Sequence, residues 1–320
     1  MNKTKIEWTE HVWNPVRSCT RVSPGCVNCY AERMAARGLP GMNSPTTGEP
    51  FAIMKPSGPR WTGKVELIKS MLDIPLRRKK PTTFFVNSMS DLFHEALPRV
   101  AKVKIFQIMQ EANWHEYQIL TKRAAEMVEF IWSLNVRNLP NIRLGVSVED
   151  QQRADERIPE LMKLAAMGWK TMVSAEPLLG PIRIPDGPCG YYCDEDVGHV
   201  DHQRVGWVIV GGESGPGARP MHPDWARSIR DQCVAAGVPF FFKQWGEWAE
   251  VPHEDYPGSP QMIEEGDVIV AANGQREIVG KDLSLRELEG AGVAMRRVGK
   301  KAAGRLLDGR EWNEMPVAQE

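Results

Sequence analysis

No stretch of this 320-residue chain approaches the roughly twenty consecutive apolar residues that a membrane-spanning helix requires. The first ten residues carry Lys3, Lys5, Glu7 and Glu10 where a secretory signal would carry an apolar core. A cytoplasmic protein with no membrane partner is therefore expected. Net charge is equally scarce: 40 basic and 41 acidic side chains leave −1. No global positive field gathers a polyanion, so any contact with nucleic acid has to be local. No internal repeat is evident beyond an alternation of strand-like and helix-like segments. Apolar residues, by contrast, make up 42% of the chain, enough for one large core or two modest ones and too many for a disordered tail. There are also six cysteines, which a reducing cytoplasm keeps unpaired. Their spacing is accordingly read for metal binding or catalysis. Cys19, Cys26 and Cys29 cluster closely, Cys189 and Cys193 form a pair, and Cys233 stands alone.

Short runs rich in β-branched and aromatic residues recur at 82–87 (TTFFVN), 117–121 (YQILT), 142–148 (IRLGVSV), 170–174 (KTMVS), 206–210 (GWVIV) and 238–243 (VPFFFK). A weaker one at 11–16 precedes the first cysteines. Their near-continuous apolarity suits strands covered on both faces, as in a parallel sheet. Helices fit between them at 29–37, 98–112, 124–132, 151–167 and 223–236. In the second, Val100, Val103, Ile105, Ile108 and Met109 are expected to rest on the sheet. In the last, His222 or Asp224 at the start and Gly237 beyond the end read as caps. Seven strands alternating with helices predict an α/β fold, a (β/α) barrel either complete or partial, with a doubly wound open sheet as the alternative. Residues 38–80, rich in Gly, Pro and basic side chains, break the rhythm as a long loop with one short helix at 64–72. Residues 180–204 read as an insertion. The expected organisation is a catalytic (β/α) domain over 1–248 and a polar C-terminal extension over 249–320, packed on that domain or trailing from it.

Loops after the strands form the active face of a parallel barrel, and here every strand is followed by polar groups. Ser88 and Asp91 follow the second, Lys122 and Arg123 the third, Ser147 and Glu149 the fourth, Glu176 the fifth, Glu213 the sixth and Lys243 the seventh. Together they outline one cavity, with Lys122, Glu176, Glu213 and Lys243 as the candidate catalytic groups. After the first strand, SCTRVSPGCVNCYAERMAAR places three thiols in a Pro-Gly loop that leads into a helix. Four cysteines would close a zinc site or complete the ligands of an iron-sulfur cluster; three leave one iron of a cluster open to a further ligand. Zinc completed by a distant His or Cys, and three buried cysteines without metal, are the other two readings.

A three-cysteine loop after the first strand of a (β/α) barrel resembles the radical S-adenosylmethionine superfamily. The wording Trp13-Asn14-Pro15, Cys19-Thr20, Ser23-Pro24-Gly25-Cys26 and Cys29-Tyr30-Ala31-Glu32 is similar to that of the three-cysteine-motif phage proteins, a phage and prophage family of unknown function. The similarity extends to Gly211-Gly212-Glu213-Ser214-Gly215 and Phe242-Lys243-Gln244-Trp245-Gly246. The superfamily resemblance implies a [4Fe-4S] cluster on Cys19, Cys26 and Cys29, with the amino and carboxylate groups of S-adenosylmethionine on the fourth iron. It implies a 5′-deoxyadenosyl radical that takes a hydrogen atom from the substrate, while the protein positions both and keeps water and oxygen out. By position, Ser88 and Asp91 take the cofactor's amino group, and Ser147 and Glu149 its ribose or carboxylate. The chain departs from the superfamily in its C-x6-C-x2-C spacing, and in Asn28, where an aromatic is usual. Its Gly-Gly-Glu comes after the sixth strand instead of the second.

Cys189, Cys193, His199 and His202 have the ligand types of a structural zinc, with a metal-free insertion as the competing reading. Cys233, beside Ile229 and Val234, is expected in the core. Residues 211–220 lack the Lys-Ser/Thr ending of a phosphate loop and read as a strand-end turn. Trp8, Trp13, Trp61, Trp245 and Trp248 lie near these loops, most as core and one or two as stacking surfaces for a base. The run Arg77-Arg78-Lys79-Lys80 reads as a solvated face or as a contact with phosphates. Together with these features, the resemblance implies an iron-sulfur enzyme of phage or prophage origin in a bacterial cytoplasm. Its expected partners are S-adenosylmethionine, a DNA or nucleotide-derived substrate to be modified or repaired, and a phage-encoded protein. The alternative is a zinc-held, non-catalytic nucleic-acid or protein-binding module. A metal-assisted hydrolase is disfavoured because no His-rich ligand set accompanies the carboxylates.

Overall fold

The computed structural model describes residues 3–136, 138–185, 205–251, 265–279 and 292–316. All seven apolar runs become strands: β1 (His11–Trp13), β2 (Thr83–Val86), β3 (Glu116–Thr121), β4 (Ile142–Ser147), β5 (Lys170–Ala175), β6 (Val208–Gly211) and β7 (Phe240–Gln244). They make one α/β sheet whose order is that of the chain. β1 to β5 pair in parallel, each with the next, and β6 pairs in parallel with β7. Strand order follows sequence order without reversal, which rules out the doubly wound alternative. Among the described residues the sheet does not close into a complete barrel. The outer edge of β7 is taken by the chain's own C-terminal segment: the Phe242 N–H donates to the Trp312 carbonyl at 2.9 Å and the Glu314 N–H to the Phe240 carbonyl at 3.2 Å. Edge groups satisfied in this way have no capacity left for a further strand.

The helices that alternate with the strands are α1 (Tyr30–Ala35), α2 (Arg99–Glu111), α3 (Ala124–Ser133), α4 (Gln151–Ala166) and α5 (Pro223–Ala236), and single helical turns lie at Ile74–Arg77 and Lys300–Ala303. The cap of α5 is His222, whose Nδ1 accepts the Asp224 N–H at 3.1 Å, and Gly237 closes it at φ 64°. On α2 the buried stripe runs through Ala101, Ile105, Phe106, Ile108 and Met109, whereas Val100 is exposed. At 100° per residue, Val100 falls outside a stripe centred on Ile105 and Met109, which corrects the expected face.

Two further expectations change. No helix forms at 64–72. Residues 38–80 instead build one antiparallel ribbon, Ala52–Lys55 with Gly58–Trp61, pair Glu66–Leu67 with Val16–Arg17 just after β1, and continue into a 3-10 turn at Lys69–Met71 and a single helical turn at Ile74–Arg77. The C-terminal segment holds a four-stranded antiparallel sheet of β8 (Trp248–Glu250), β9 (Val268–Val270), β10 (Arg276–Ile278) and β11 (Val293–Arg297), in the order β8-β11-β9-β10. Trp248, Val268, Ile269, Val270 and Met295 are its buried residues.

The chain divides into two compact units. One comprises Met1–Ser147, Glu156–Ser174 and Gly187–Gly206; the other comprises Val148–Asp155, Ala175–Asp186 and Trp207–Glu320. Of the residues singled out above, Cys19, Cys26, Cys29, Ser88, Asp91, Lys122 and Ser147 belong to the first, and Glu149, Glu176, Glu213 and Lys243 to the second.

Candidate metal centre

Past β1, the chain turns at Ser18 (φ 74°), makes a 3-10 turn at Pro24–Cys26, and reaches Cys29 as the residue that begins α1. The long first gap of the cysteine motif is thus the length of this turn. All three thiols are free and half-buried. Burial pushes the Cys19 thiol up to about 12; Asp91 pushes it the same way and Arg123 partly offsets them. Burial also raises Cys29, against which Lys122 acts in the opposite sense. Cys26 interacts electrostatically with both of the other thiols. Among the described residues, no three His, Cys, Asp or Glu side chains are gathered as they would be around a single ion. A tetrahedral zinc with bonds of about 2.3 Å would draw its sulfurs to about 3.8 Å from one another. A cluster instead gives each thiol its own iron and spreads the thiols apart. Three free thiols on one loop are a soft donor set of the kind that could hold three irons of a cluster, or a zinc completed by a further ligand.

A buried carboxylate supports the loop. Glu32, on the inner face of α1, is 1% exposed. It accepts the Arg21 Nε–H at 2.9 Å, a second Arg21 nitrogen on the same oxygen, and the Trp61 backbone N–H at 2.8 Å. One carboxylate therefore ties the cysteine loop to the ribbon at Gly58–Trp61. Glu32→Ala strands a partly buried guanidinium and a backbone donor, so a loss of about 2–3 kcal/mol is expected in denaturant melts. Faster tryptic cleavage within 17–37 should accompany it. A variant with wild-type melting and cleavage would remove this buttress from the account.

A second network joins the loops after β1, β2 and β3. The Asn14 carboxamide oxygen accepts the Ser88 hydroxyl at 3.1 Å and the Met89 N–H at 3.2 Å, and the Tyr30 hydroxyl donates to the Ser88 carbonyl at 2.6 Å. Asp91 is buried, and both its oxygens are engaged. Oδ1 accepts the Phe93 N–H at 2.9 Å, the Thr121 hydroxyl lies 2.7 Å and 2.8 Å from the two oxygens, and Oδ2 faces Arg123 at 3.2 Å. His94 Nδ1 accepts the Ala96 N–H, which leaves Nε2 as the donor to Thr20 Oγ1 at 2.9 Å. Burial lowers the His94 pKa, consistent with that neutral ring. Ser147 is buried, and its carbonyl accepts from Arg157 at 2.7 Å; Lys122 is half-buried.

The basic run lies elsewhere. Arg77 to Lys80 lead into the start of β2, where the Arg78 carbonyl accepts the Trp114 indole N–H at 2.9 Å and Lys79 sits 5.5 Å from the Trp114 ring. Trp114 precedes β3, so the run occupies the N-terminal ends of parallel strands, while the cysteines follow the C-terminal end of β1. Four of the five tryptophans near the loops are buried: Trp8, Trp13, Trp245 and Trp248; Trp61 is the half-buried one.

In the second unit, Lys243 at the end of β7 donates to Glu176 Oε1 at 2.7 Å. The two groups follow β5 and lie in β7, and Gly211 of β6 makes room between them, since a Cβ there would meet the Glu176 carboxyl carbon at 3.3 Å. Glu213 is buried and gripped by Arg219, through the backbone N–H at 2.9 Å, Nε at 2.8 Å and Nη2 at 2.6 Å. Glu149 is fully buried. Cys233 is buried in α5. Cys189, Cys193, His199 and His202 lie outside the described residues. Thr20 and Glu32 stand in the sequence only as part of the motif wording, with no role of their own, and His94 and Glu95 carry no signal there. Each looks like an ordinary polar residue until packing shows what it holds.

A seven-stranded α/β sheet with a three-cysteine loop after its first strand is the class this chain defines. The family model for a protein of unknown function, DUF5131, matches residues 3–316, and the chain belongs to that family. No curated protein matches the sequence. Among solved structures, it is similar to a spore photoproduct lyase mutant with bound AdoMet and dinucleoside spore photoproduct, at 13% identity and TM-score 0.40, covering 91% of this chain and 74% of that one. A second spore photoproduct lyase mutant matches at 14% identity and TM-score 0.39 with the same coverage. No helix of the described residues is long and apolar enough to cross a membrane.

Proposed function

We propose that the chain is an iron-sulfur enzyme of the radical S-adenosylmethionine type, of phage or prophage origin, in which Cys19, Cys26 and Cys29 hold a [4Fe-4S] cluster. The observation that carries this reading is the donor set: three free, half-buried thiols on one loop after the first parallel strand, each within electrostatic reach of Cys26 or being it. When bound and reduced, such a cluster supplies the electron that splits S-adenosylmethionine into methionine and a 5′-deoxyadenosyl radical. The chain's own residues bind and orient. Ser88, fixed by Asn14, is assigned to the cofactor's amino group. Asp91, engaged by Thr121 and Arg123, is assigned with it to that amino group, and Ser147 and Glu149 are the candidates for the ribose or carboxylate. Glu176 and Lys243 keep a carboxylate and an ammonium side by side for a polar group of the substrate. A nucleic-acid base or nucleotide-derived substrate suits the local charge. Residues 17–61 carry Arg17, Arg21, Arg33, Arg37, Lys55 and Arg60 against Glu32 and Glu49, in a chain whose net charge is −1.

The test is anaerobic reconstitution with iron and sulfide, followed by incubation with a chemical reductant and S-adenosylmethionine. Release of 5′-deoxyadenosine and methionine is the expected result. Tightly held zinc with no such release would favour the non-catalytic binding module.

A further inference from the structure

Arg123 leaves β3 beside Lys122 and is 4% exposed. Its guanidinium is held from several sides. Nε donates to Glu95 Oε2 at 2.7 Å, Nη1 to Asp91 Oδ2 at 3.2 Å, and Nη2 to Thr20 Oγ1 at 2.7 Å and the Thr20 carbonyl at 3.5 Å. Thr20 Oγ1 is itself fixed by His94. A planar fork gripped at every nitrogen does not swing, so its remaining direction is set by the fold. That direction is Cys19: Nη1 lies 3.7 Å from Cys19 Sγ. Burial opposes the guanidinium charge, but Asp91 and Glu95 outweigh it and keep the group protonated.

We propose that Arg123 is a positioning residue of the metal centre and that its N–H···S hydrogen bond to Cys19 sets the reduction potential of the cluster bound there. The inference rests on the cluster reading given above. A donor and a positive charge beside a ligand sulfur stabilise the more negative, reduced form and raise the potential. Asp91 and Glu95 then have a definite task. They hold the guanidinium in place and, as carboxylates, limit how far it raises that potential. A role in folding alone would leave the potential untouched.

Arg123→Met and Arg123→Lys separate these roles. Lysine keeps the charge but cannot span Glu95, Asp91, Thr20 and Cys19 at once. Each variant is reconstituted, its iron and sulfide are counted, and its midpoint is found by redox titration followed by electron paramagnetic resonance. Expected are wild-type iron content and a lower midpoint, by about 59 mV in Arg123→Met, a tenfold shift in the reduced-to-oxidised ratio of a one-electron couple. Arg123→Lys should fall between that variant and wild type. Should Arg123→Met not fold, Arg123→Lys and Thr20→Val, which frees one nitrogen without changing charge, decide by the same criterion. Full iron at the wild-type midpoint in these variants would overturn the proposal and leave the cluster reading standing. A wild-type protein that takes up no iron would overturn both.

Discussion

Cys26→Ala is expected to lose essentially all of the iron that the reconstituted wild-type protein retains, while melting as the wild type does. Cys26 is the thiol that interacts with each of the other two, so its removal takes away the middle of the donor set. Two thiols leave two irons of a cubane without protein ligands, and such a cluster does not persist through gel filtration. The fold has little stake in this side chain. Its sulfur is half-buried, and the side-chain contact it makes is a weak one to the Ser23 hydroxyl at 3.8 Å. The change in stability should therefore stay within about 0.5 kcal/mol, as for other substitutions away from a packed core. Iron and sulfide analysis alongside a thermal melt checks both halves. Iron retained by the variant would mean that the cysteine loop is not the metal centre.

Alanine at Gly212 or Gly246 is expected to destabilise the protein by about 3 kcal/mol or more, because neither site offers any space and the obstacle is backbone. A Cβ on Gly212 would stand 1.9 Å from the Trp245 carbonyl oxygen, and one on Gly246 2.1 Å from that of Glu213. The turns after β6 and β7 are also laced together. The Gly212 N–H donates to the Gln244 carbonyl at 2.9 Å and the Glu247 N–H to the Glu213 carbonyl at 3.1 Å. Gly246 carries the added cost of its φ of +89°, about 1–2 kcal/mol for any residue with a Cβ. A fall of several degrees in Tm follows for either variant. Gly41→Ala is the control, since Gly41 has φ +81° but nothing within 4 Å of the added carbon. Equal melting of Gly212→Ala and Gly41→Ala would show that the close approach of the two turns is not fixed.

The strands were legible because they are apolar on both faces: runs such as TFFV of β2 and VIVG of β6 have few other uses in a globular chain. The C-terminal sheet was not legible. Its strands are three to five residues long, too short for a period of two to stand out from the polar segments around them. The cysteine loop announced itself through residue type and spacing. Its supports did not, because Glu32 and Arg123 are charged residues of the kind usually found in solvent, and burial alone distinguishes them. The place of the basic run could have been read. Arg77 to Lys80 immediately precede β2, and in a parallel sheet that puts them at the end opposite the loops that follow the strands. Closure of the barrel could not, since it turns on β7 accepting a segment some seventy residues further along the chain.

The most direct test of the central claim is electron paramagnetic resonance of the anaerobically reconstituted, reduced protein, recorded with and without S-adenosylmethionine. The expected spectrum is the signal of a reduced [4Fe-4S] cluster, absent in Cys26→Ala, that changes shape when the cofactor occupies the iron left open by three cysteines. A protein that holds zinc and gives no cluster signal, or a cluster signal indifferent to the cofactor, would contradict it.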